Sequence, residues 1–155
     1  MSLDLKNFVR YTCITLTATG ALMFGNVAMA ADTPDSLNGA ILVDGAKAKS
    51  LIDSGVVAID ARVANEYAES HIKGAVNVPY KEKSAKAVNF DAKQDSFDLG
   101  KLPADKSAPI LVYCNGPECW KSYKASTEAI KAGHKTVYWF RLGMPEWKAK
   151  GYPTE

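Results

Sequence analysis

Side chains that ligate metals or act as nucleophiles are scarce in this 155-residue chain, which has two histidines, His71 and His134, and three cysteines. They are scattered without the paired spacing of a zinc or iron site, so no metal and no organic cofactor is expected. No glycine-rich nucleotide loop and no serine elbow occur, which removes nucleotide binding and serine-hydrolase chemistry from the candidates. Repeats and low-complexity tracts are absent, so the chain is not a repeat array. Charge of one sign is also missing. Lys and Arg number 19 against 17 Asp and Glu, a net charge of +2. That balance offers no basic surface for nucleic acid or anionic membrane.

A long apolar run is lacking too. The best candidate, residues 11–24, is short and broken by threonines and Gly20, which argues against a membrane anchor. With Lys6 and Arg10 before it and Ala28-Met29-Ala30 after it, the segment has the pattern of a cleaved signal peptide. Residues 1–30 are therefore expected to leave after Ala30, taking Cys13 with them. The mature protein is expected to be periplasmic or otherwise exported, with no stable membrane anchor. Losing Lys6, Arg10 and Asp4 leaves 17 basic against 16 acidic residues, a net charge of +1. The remaining stretch, residues 31–155, is long enough to bury one core without staples. At 47% hydrophobic and 23% charged, the whole chain reads as one ordinary globular domain plus this short leader.

What is present is an alternation of strands and helices. Residues 31–38 form a polar, turn-rich tail, and residues 41–43 a short strand. A helix over 44–54 carries Ala46, Ala48, Leu51 and Ile52 at helical spacing and is closed by Gly55. The continuous apolar run 56–59 suits a strand buried on both faces. A short helix over 63–70 and a strand over 75–78, stopped by Pro79, come next. Residues 81–109 read as a surface excursion with one short helix. A strand over 110–113, a helix over 120–132, a strand over 136–139 and a helix over 143–150 complete the chain. Such alternation predicts a mostly parallel, five-stranded α/β sheet flanked by helices.

The stretch that carries chemistry begins where the strand 110–113 runs into Cys114. Ligands of parallel sheets bind at the carboxyl ends of strands. The helix that starts just beyond offers unpaired N–H groups and the positive end of its dipole. Such a place stabilises an anion: a thiolate, a persulfide or a bound oxyanion. Cys114 is the candidate nucleophile, and the loop is Asn115, Gly116, Pro117, Glu118, Cys119, Trp120, Lys121 and Ser122. Gly116 permits the backbone angles a curled loop needs, and Pro117 has no N–H to contribute. Glu118 opposes an anion and is expected to point outward. Cys119 has two readings, a resolving thiol within reach of Cys114 or a spectator packed under the helix start. Lys121 either attracts an anionic donor or is a solvated lysine. Trp120 reads as core packing, and His134 as a surface residue.

Three separated motifs resemble the single-domain rhodanese-like sulfurtransferases. One is Val57-Ala58-Ile59-Asp60-Ala61-Arg62 with Glu66-Tyr67 and His71-Ile72-Lys73-Gly74-Ala75-Val76-Asn77-Val78-Pro79. Another is the strand that enters a cysteine loop and helix. The third is Gly143-Met144-Pro145-Glu146-Trp147 with Gly151-Tyr152-Pro153. The resemblance implies a three-layer rhodanese-like fold and a cycle in which Cys114 takes a sulfane sulfur from a donor such as thiosulfate. The resulting persulfide would pass that sulfur to a thiol or cyanide acceptor. It also implies that Asp60 orients the loop by accepting hydrogen bonds, that Arg62 pairs with a carboxylate such as Glu66, and that His71 fixes a turn. Its members commonly carry an Arg or Lys five residues after the cysteine; here that position is Cys119, and the nearest cation is Lys121. A longer loop widens the cradle toward the oxyanions held by phosphatase relatives of the family. Two other functions stay open: a thiol–disulfide or oxyanion-reducing protein using Cys114 and Cys119, and a non-catalytic sulfur carrier or binding module. The expected partners are a small sulfur donor and a thiol-type acceptor, with the protein a monomer and a protein partner compatible with it.

Overall fold

Side chains that alternate between two faces of a fully buried central strand set the layers. The computed structural model describes residues 31–155; the expected leader of residues 1–30, with Cys13, lies outside the described residues. Strand β4 (Ile110–Tyr113) is buried at all four positions. Ile110 and Val112 join one apolar cluster, Leu111 and Tyr113 another, because successive side chains of a strand point to opposite faces. Strands β2 (Val57–Asp60) and β5 (Val137–Phe140) flank it, while β1 (Ala40–Leu42) and β3 (Val76–Asn77) form the edges. The order is β1-β5-β4-β2-β3, and every pairing is parallel. Among the described residues, antiparallel contact is confined to two isolated bridges, Ile72 with Thr154 and Lys81 with Ser96. The five-stranded sheet is thus wholly parallel where mostly parallel was expected.

Helices cover both faces. Helices α1 (Gly45–Asp53) and α4 (Gly143–Ala149) bring Ala48, Leu51, Met144 and Trp147 onto Leu111, Tyr113 and Phe140. Helix α3 (Trp120–Lys131) brings Ala125 and Ala129 onto Ile59, Ile110, Val112 and Val137. Asp44 caps α1 through a bond from the Lys47 N–H at 2.8 Å, and Gly55 takes the left-handed turn after it with φ 96°. Helix α2 (Ala64–Glu69) follows β2 directly. Strand β3 is half the expected length, since the Ala75 N–H turns back to the Ile72 carbonyl and Pro79 has no N–H with which to extend the ladder.

The excursion over 81–109 holds two 3₁₀ turns, Ala92–Gln94 and Leu99–Lys101, in place of the single helix expected. Phe90, Phe97 and Leu99 pin it to the α3 side of the core. Asp95 accepts from the Lys83 and Ser84 N–H groups and Ser84 Oγ, each at 2.6 Å, and from the Tyr80 hydroxyl at 2.8 Å. Lys124 of α3, fully buried, reaches out of the helix to Glu82 at 2.7 Å, Ser84 Oγ at 2.8 Å and Asp95 at 3.5 Å. This polar post fastens the excursion to α3. His134, expected at the surface, is 4% exposed: Gly133, with φ 96°, turns the chain inward, and His134 Nε2 lies 2.9 Å from Lys106 Nζ. Burial, then the Lys106 charge, lowers its pKa.

Burial alone would push the Asp95 carboxyl up; the bonds from Ser84 and from the backbone N–H groups of Ser84 and Lys83 outweigh it and hold Asp95 well below the usual carboxylate range. A lowered folded pKa contributes stability that is complete above the ordinary carboxylate value and is lost as pH falls through the folded one. Replacing Asp95 also removes one of the two carboxylates that face buried Lys124. Asp95→Asn is expected to cost about 3 kcal/mol near neutral pH. The variant's urea midpoint should then fall less than the wild type's when pH drops from about 7 to about 3.

Candidate active site

Parallel register brings three strand ends to one edge of the sheet. Asp60, Tyr113 and Phe140 stand side by side at the ends of β2, β4 and β5, so Ala61, Cys114 and Arg141 follow on that edge. Cys114 is the first residue beyond the central strand. Its carbonyl accepts the Met144 N–H at 2.9 Å. Gly143, with φ 53°, lies so close beneath that a Cβ there would overlap the Cys114 carbonyl carbon and oxygen. The start of α4 is therefore seated on the root of the cysteine loop.

The loop then curls. Gly116 adopts φ 107°, a left-handed angle that a side chain would resist, and its carbonyl accepts the Cys119 N–H at 3.1 Å. The curl sets the Cα atoms of Cys114 and Cys119 6.3 Å apart, and their sulfurs are joined in a disulfide. Helix α3 starts at the next residue, Trp120. An exposed nucleophile is what transfer chemistry requires, yet Cys114 is 0% exposed. Its bond to Cys119 and the packing of α4 on its backbone close it in. Cys119 is half-buried.

Neighbouring elements grip the loop from several sides. Asn115 Nδ2 donates to Glu66 of α2 at 2.5 Å. The Pro117 carbonyl accepts from both the N–H and the hydroxyl of Thr33, each at 2.8 Å. Trp120 Nε1 donates to the Ala31 carbonyl at 2.8 Å. Arg141 holds Thr33 from behind, through Nε to its hydroxyl at 3.0 Å and a terminal nitrogen to its carbonyl at 2.6 Å, and reaches Asp35 at 3.1 Å. Residues 31–35 are thus a strap over the cysteine loop, with Thr33 2% exposed, where a free tail was expected. Sequence reasoning missed Thr33 because a strap has no period; its polar, turn-rich composition resembles that of a tail.

Asp60 and Arg62 sit beneath this edge, both buried. The resemblance implies that Asp60 orients the loop by accepting hydrogen bonds and that Arg62 pairs with a carboxylate such as Glu66. The carboxylate that Arg62 pairs with is Asp60 itself. Arg62 donates to Asp60 through Nε at 3.0 and 3.1 Å and a terminal nitrogen at 2.6 Å, while the Tyr113 hydroxyl donates to Asp60 at 2.7 Å. Two residues of spacing suffice for a forked pair, which leaves Glu66 for Asn115. Burial works against the Arg62 charge, but the Asp60 bonds and charge outweigh it and raise the Arg62 pKa. Burial, then the Asp60 charge, pushes the Tyr113 phenol far up, so it remains a donor. His71 stacks on Tyr67 with centroids 3.6 Å apart and bonds its carbonyl at 2.8 Å, away from the cysteines.

Outside the loop lies a cleft of about 230 Å³ lined by Glu82, Lys86, Asn115, Glu118, Cys119, Trp120 and Lys121. Glu82 is neutralised by buried Lys124. Among the described residues, Lys86, Lys121 and Glu118 form no ion pair, so two cations face one carboxylate there. Glu118 is exposed. Ser122 is not part of this surface: it is buried and accepts the Trp139 indole N–H at 3.1 Å. Trp120 packs edge-on against Tyr123. Arg141 lines a separate cleft of about 410 Å³ with Leu42, Val43, Asp44, Lys47 and Leu142. That larger cleft lacks both cysteines, so the smaller one is the site of interest. Among the described residues no cluster of three or more histidines, cysteines or carboxylates is placed to hold a metal ion.

A family model for the rhodanese-like domain matches residues 44–150. The chain belongs to that family. This rhodanese-like domain is 32% identical over 117 residues to thiosulfate sulfurtransferase 18 of Arabidopsis thaliana, spanning 73% of the chain and 82% of that protein. It is 29% identical over 108 residues to the chloroplastic thiosulfate sulfurtransferase 16 of the same plant, covering 70% and 87%. Among solved structures, the rhodanese-like domain of the Alr3790 protein from Anabaena superposes with a TM-score of 0.56 at 27% identity, covering 74% and 77%. Proteins named as thiosulfate sulfurtransferases are thus among its relatives.

The seating of α4 on the cysteine root can be tested directly. Gly143→Ala puts a methyl group into the Cys114 carbonyl and strains a positive φ, so a loss of about 3 kcal/mol or more is expected. Denaturant unfolding checks the magnitude, and Gly55→Ala, with open space at its Cβ, should cost about 1 kcal/mol as the comparison.

Proposed function

We propose that the protein is an exported sulfurtransferase that moves a sulfane sulfur through a Cys114 persulfide. The observation that carries this reading is the position of Cys114, at the carboxyl end of the central strand of a rhodanese-like sheet and joined to Cys119, the residue that precedes α3. Once the Cys114–Cys119 bond is reduced, the Cys114 thiolate attacks the outer sulfur of thiosulfate. The S–S bond of the donor breaks, sulfite leaves with the bonding pair, and the sulfur stays on Cys114. An acceptor thiolate or cyanide then takes that outer sulfur and returns Cys114 as a thiolate. Peptide N–H groups and the helix dipole at the start of α3 favour both anionic forms. Lys86 and Lys121 draw an anionic donor to the cleft. Export rests on the leader pattern of residues 1–30. A second reading, thiol–disulfide exchange without sulfur transfer, is favoured by the disulfide itself.

Mass analysis of reduced, desalted protein treated with thiosulfate and then alkylated separates the two. Sulfur transfer requires the gain of one sulfur on Cys114, or its release as sulfide, and no reaction in Cys114→Ser. Unchanged thiosulfate after complete reduction leaves the exchange reading. Lys121→Glu is expected to raise KM for thiosulfate on the order of tenfold while sparing an uncharged organic trisulfide donor.

A further inference from the structure

The disulfide is asymmetric. Cys119 lines the cleft and Cys114 does not; Cys114 is wholly buried, whereas Cys119 is half-buried. An incoming thiolate can therefore reach one of the two sulfurs and not the other. The same curl that joins them places Cys119 Sγ beside Cys114 Sγ whenever the bond re-forms, and the grips from Glu66, Thr33 and Met144 preserve that curl independently of the disulfide. The loop thus presents an inner thiol suited to holding sulfur and an outer thiol suited to meeting a partner.

We propose that Cys119 resolves the Cys114 persulfide and that the terminal electron donor is an external dithiol, which attacks Cys119. The inference rests on the sulfurtransferase reading above. In the resolving step the Cys119 thiolate attacks Cys114 Sγ, the Cys114–Cys119 bond forms, and the bond to the outer sulfur breaks. That sulfur leaves with the bonding pair and takes the proton given up by Cys119, departing as hydrosulfide. Sulfane sulfur is reduced to sulfide and the two cysteines are oxidised to the disulfide. In the resetting step one thiolate of the dithiol attacks Cys119 Sγ and expels Cys114 as a thiolate. Cys114 is the leaving group because Cys119, the sulfur that faces the cleft, is the one attacked. The second thiol of the dithiol then attacks the mixed disulfide, releasing Cys119 and leaving the partner as a disulfide. With thiosulfate as donor, the products are sulfite, sulfide and an oxidised dithiol. The joined cysteines are then the form that awaits reductant.

The deciding experiment is a single turnover of fully reduced, desalted wild-type protein with thiosulfate and no added thiol. One sulfide and one sulfite per chain are expected, with the Cys114–Cys119 disulfide in the peptide map. Cys119→Ser, with Cys119→Ala as a second variant, should stop at a Cys114 persulfide and release sulfide once dithiothreitol is added. A wild-type protein that retains its persulfide as Cys119→Ser does, with Cys119 still open to alkylation, overturns the resolving role while leaving sulfur transfer intact. Absence of sulfur uptake in wild type and both variants overturns the sulfurtransferase reading itself. Brief treatment of the oxidised protein with glutathione tests the point of attack. A mixed disulfide mapped to Cys119 with Cys114 free supports the proposal, and one mapped to Cys114 overturns it.

Discussion

The buried pair of Asp60 and Arg62 ties together the edge on which the cysteine loop stands. Asp60 ends β2, takes the hydroxyl of Tyr113 from β4, and is forked by Arg62, which also reaches the Ser70 carbonyl beyond α2. Asn77 of β3 donates to the backbone carbonyls of both residues, and the Tyr113 hydroxyl accepts the Ile72 N–H. Two buried charges cost several kcal/mol in desolvation, and a single contact does not offset that. Here the forked geometry and the additional bonds occupy both carboxylate oxygens. The network holds β2, β3, β4 and the end of α2 in one arrangement. Cys114 follows directly from its Tyr113 member.

Above that base, the loop is set by contacts from every side. Met144 holds the Cys114 carbonyl, Asn115 is tied to α2, and Pro117 carries the strap of residues 31–35. Held backbone is what lets two cysteines five residues apart meet without a regular element between them. It also orders them, one closed under α4 and the other facing a cleft with two lysines. The chemistry proposed for the pair follows from that order more than from the presence of two thiols.

Much of the fold is legible in residue patterns. Apolar runs such as 110–113 and 57–60 can be buried on both faces only in a covered sheet, and helical spacing with a glycine stop marks α1 and α3. Alternation of such runs leaves a parallel sheet as the compact solution. The excursion over 81–109 is not legible, because Asp95 and Lys124 organise it through contacts between distant residues. His134 misleads for a similar reason: its neighbours are polar, but the turn at Gly133 carries it inward. Ser122 looks like a loop residue until the helix phase directs it to Trp139.

The chain's local patterns were sufficient to determine the α/β class, the order of the elements and the cysteine that follows the central strand, because period, propensity and turn chemistry act over a few residues. Tertiary packing alone decided which groups meet. It paired Arg62 with Asp60 and gave Glu66 to Asn115. It drew residues 31–35 across the loop, hid Cys114 and left Cys119 at the cleft. Those outcomes depend on hydrogen bonds and burial between residues as far as 108 positions apart, which no window of sequence contains.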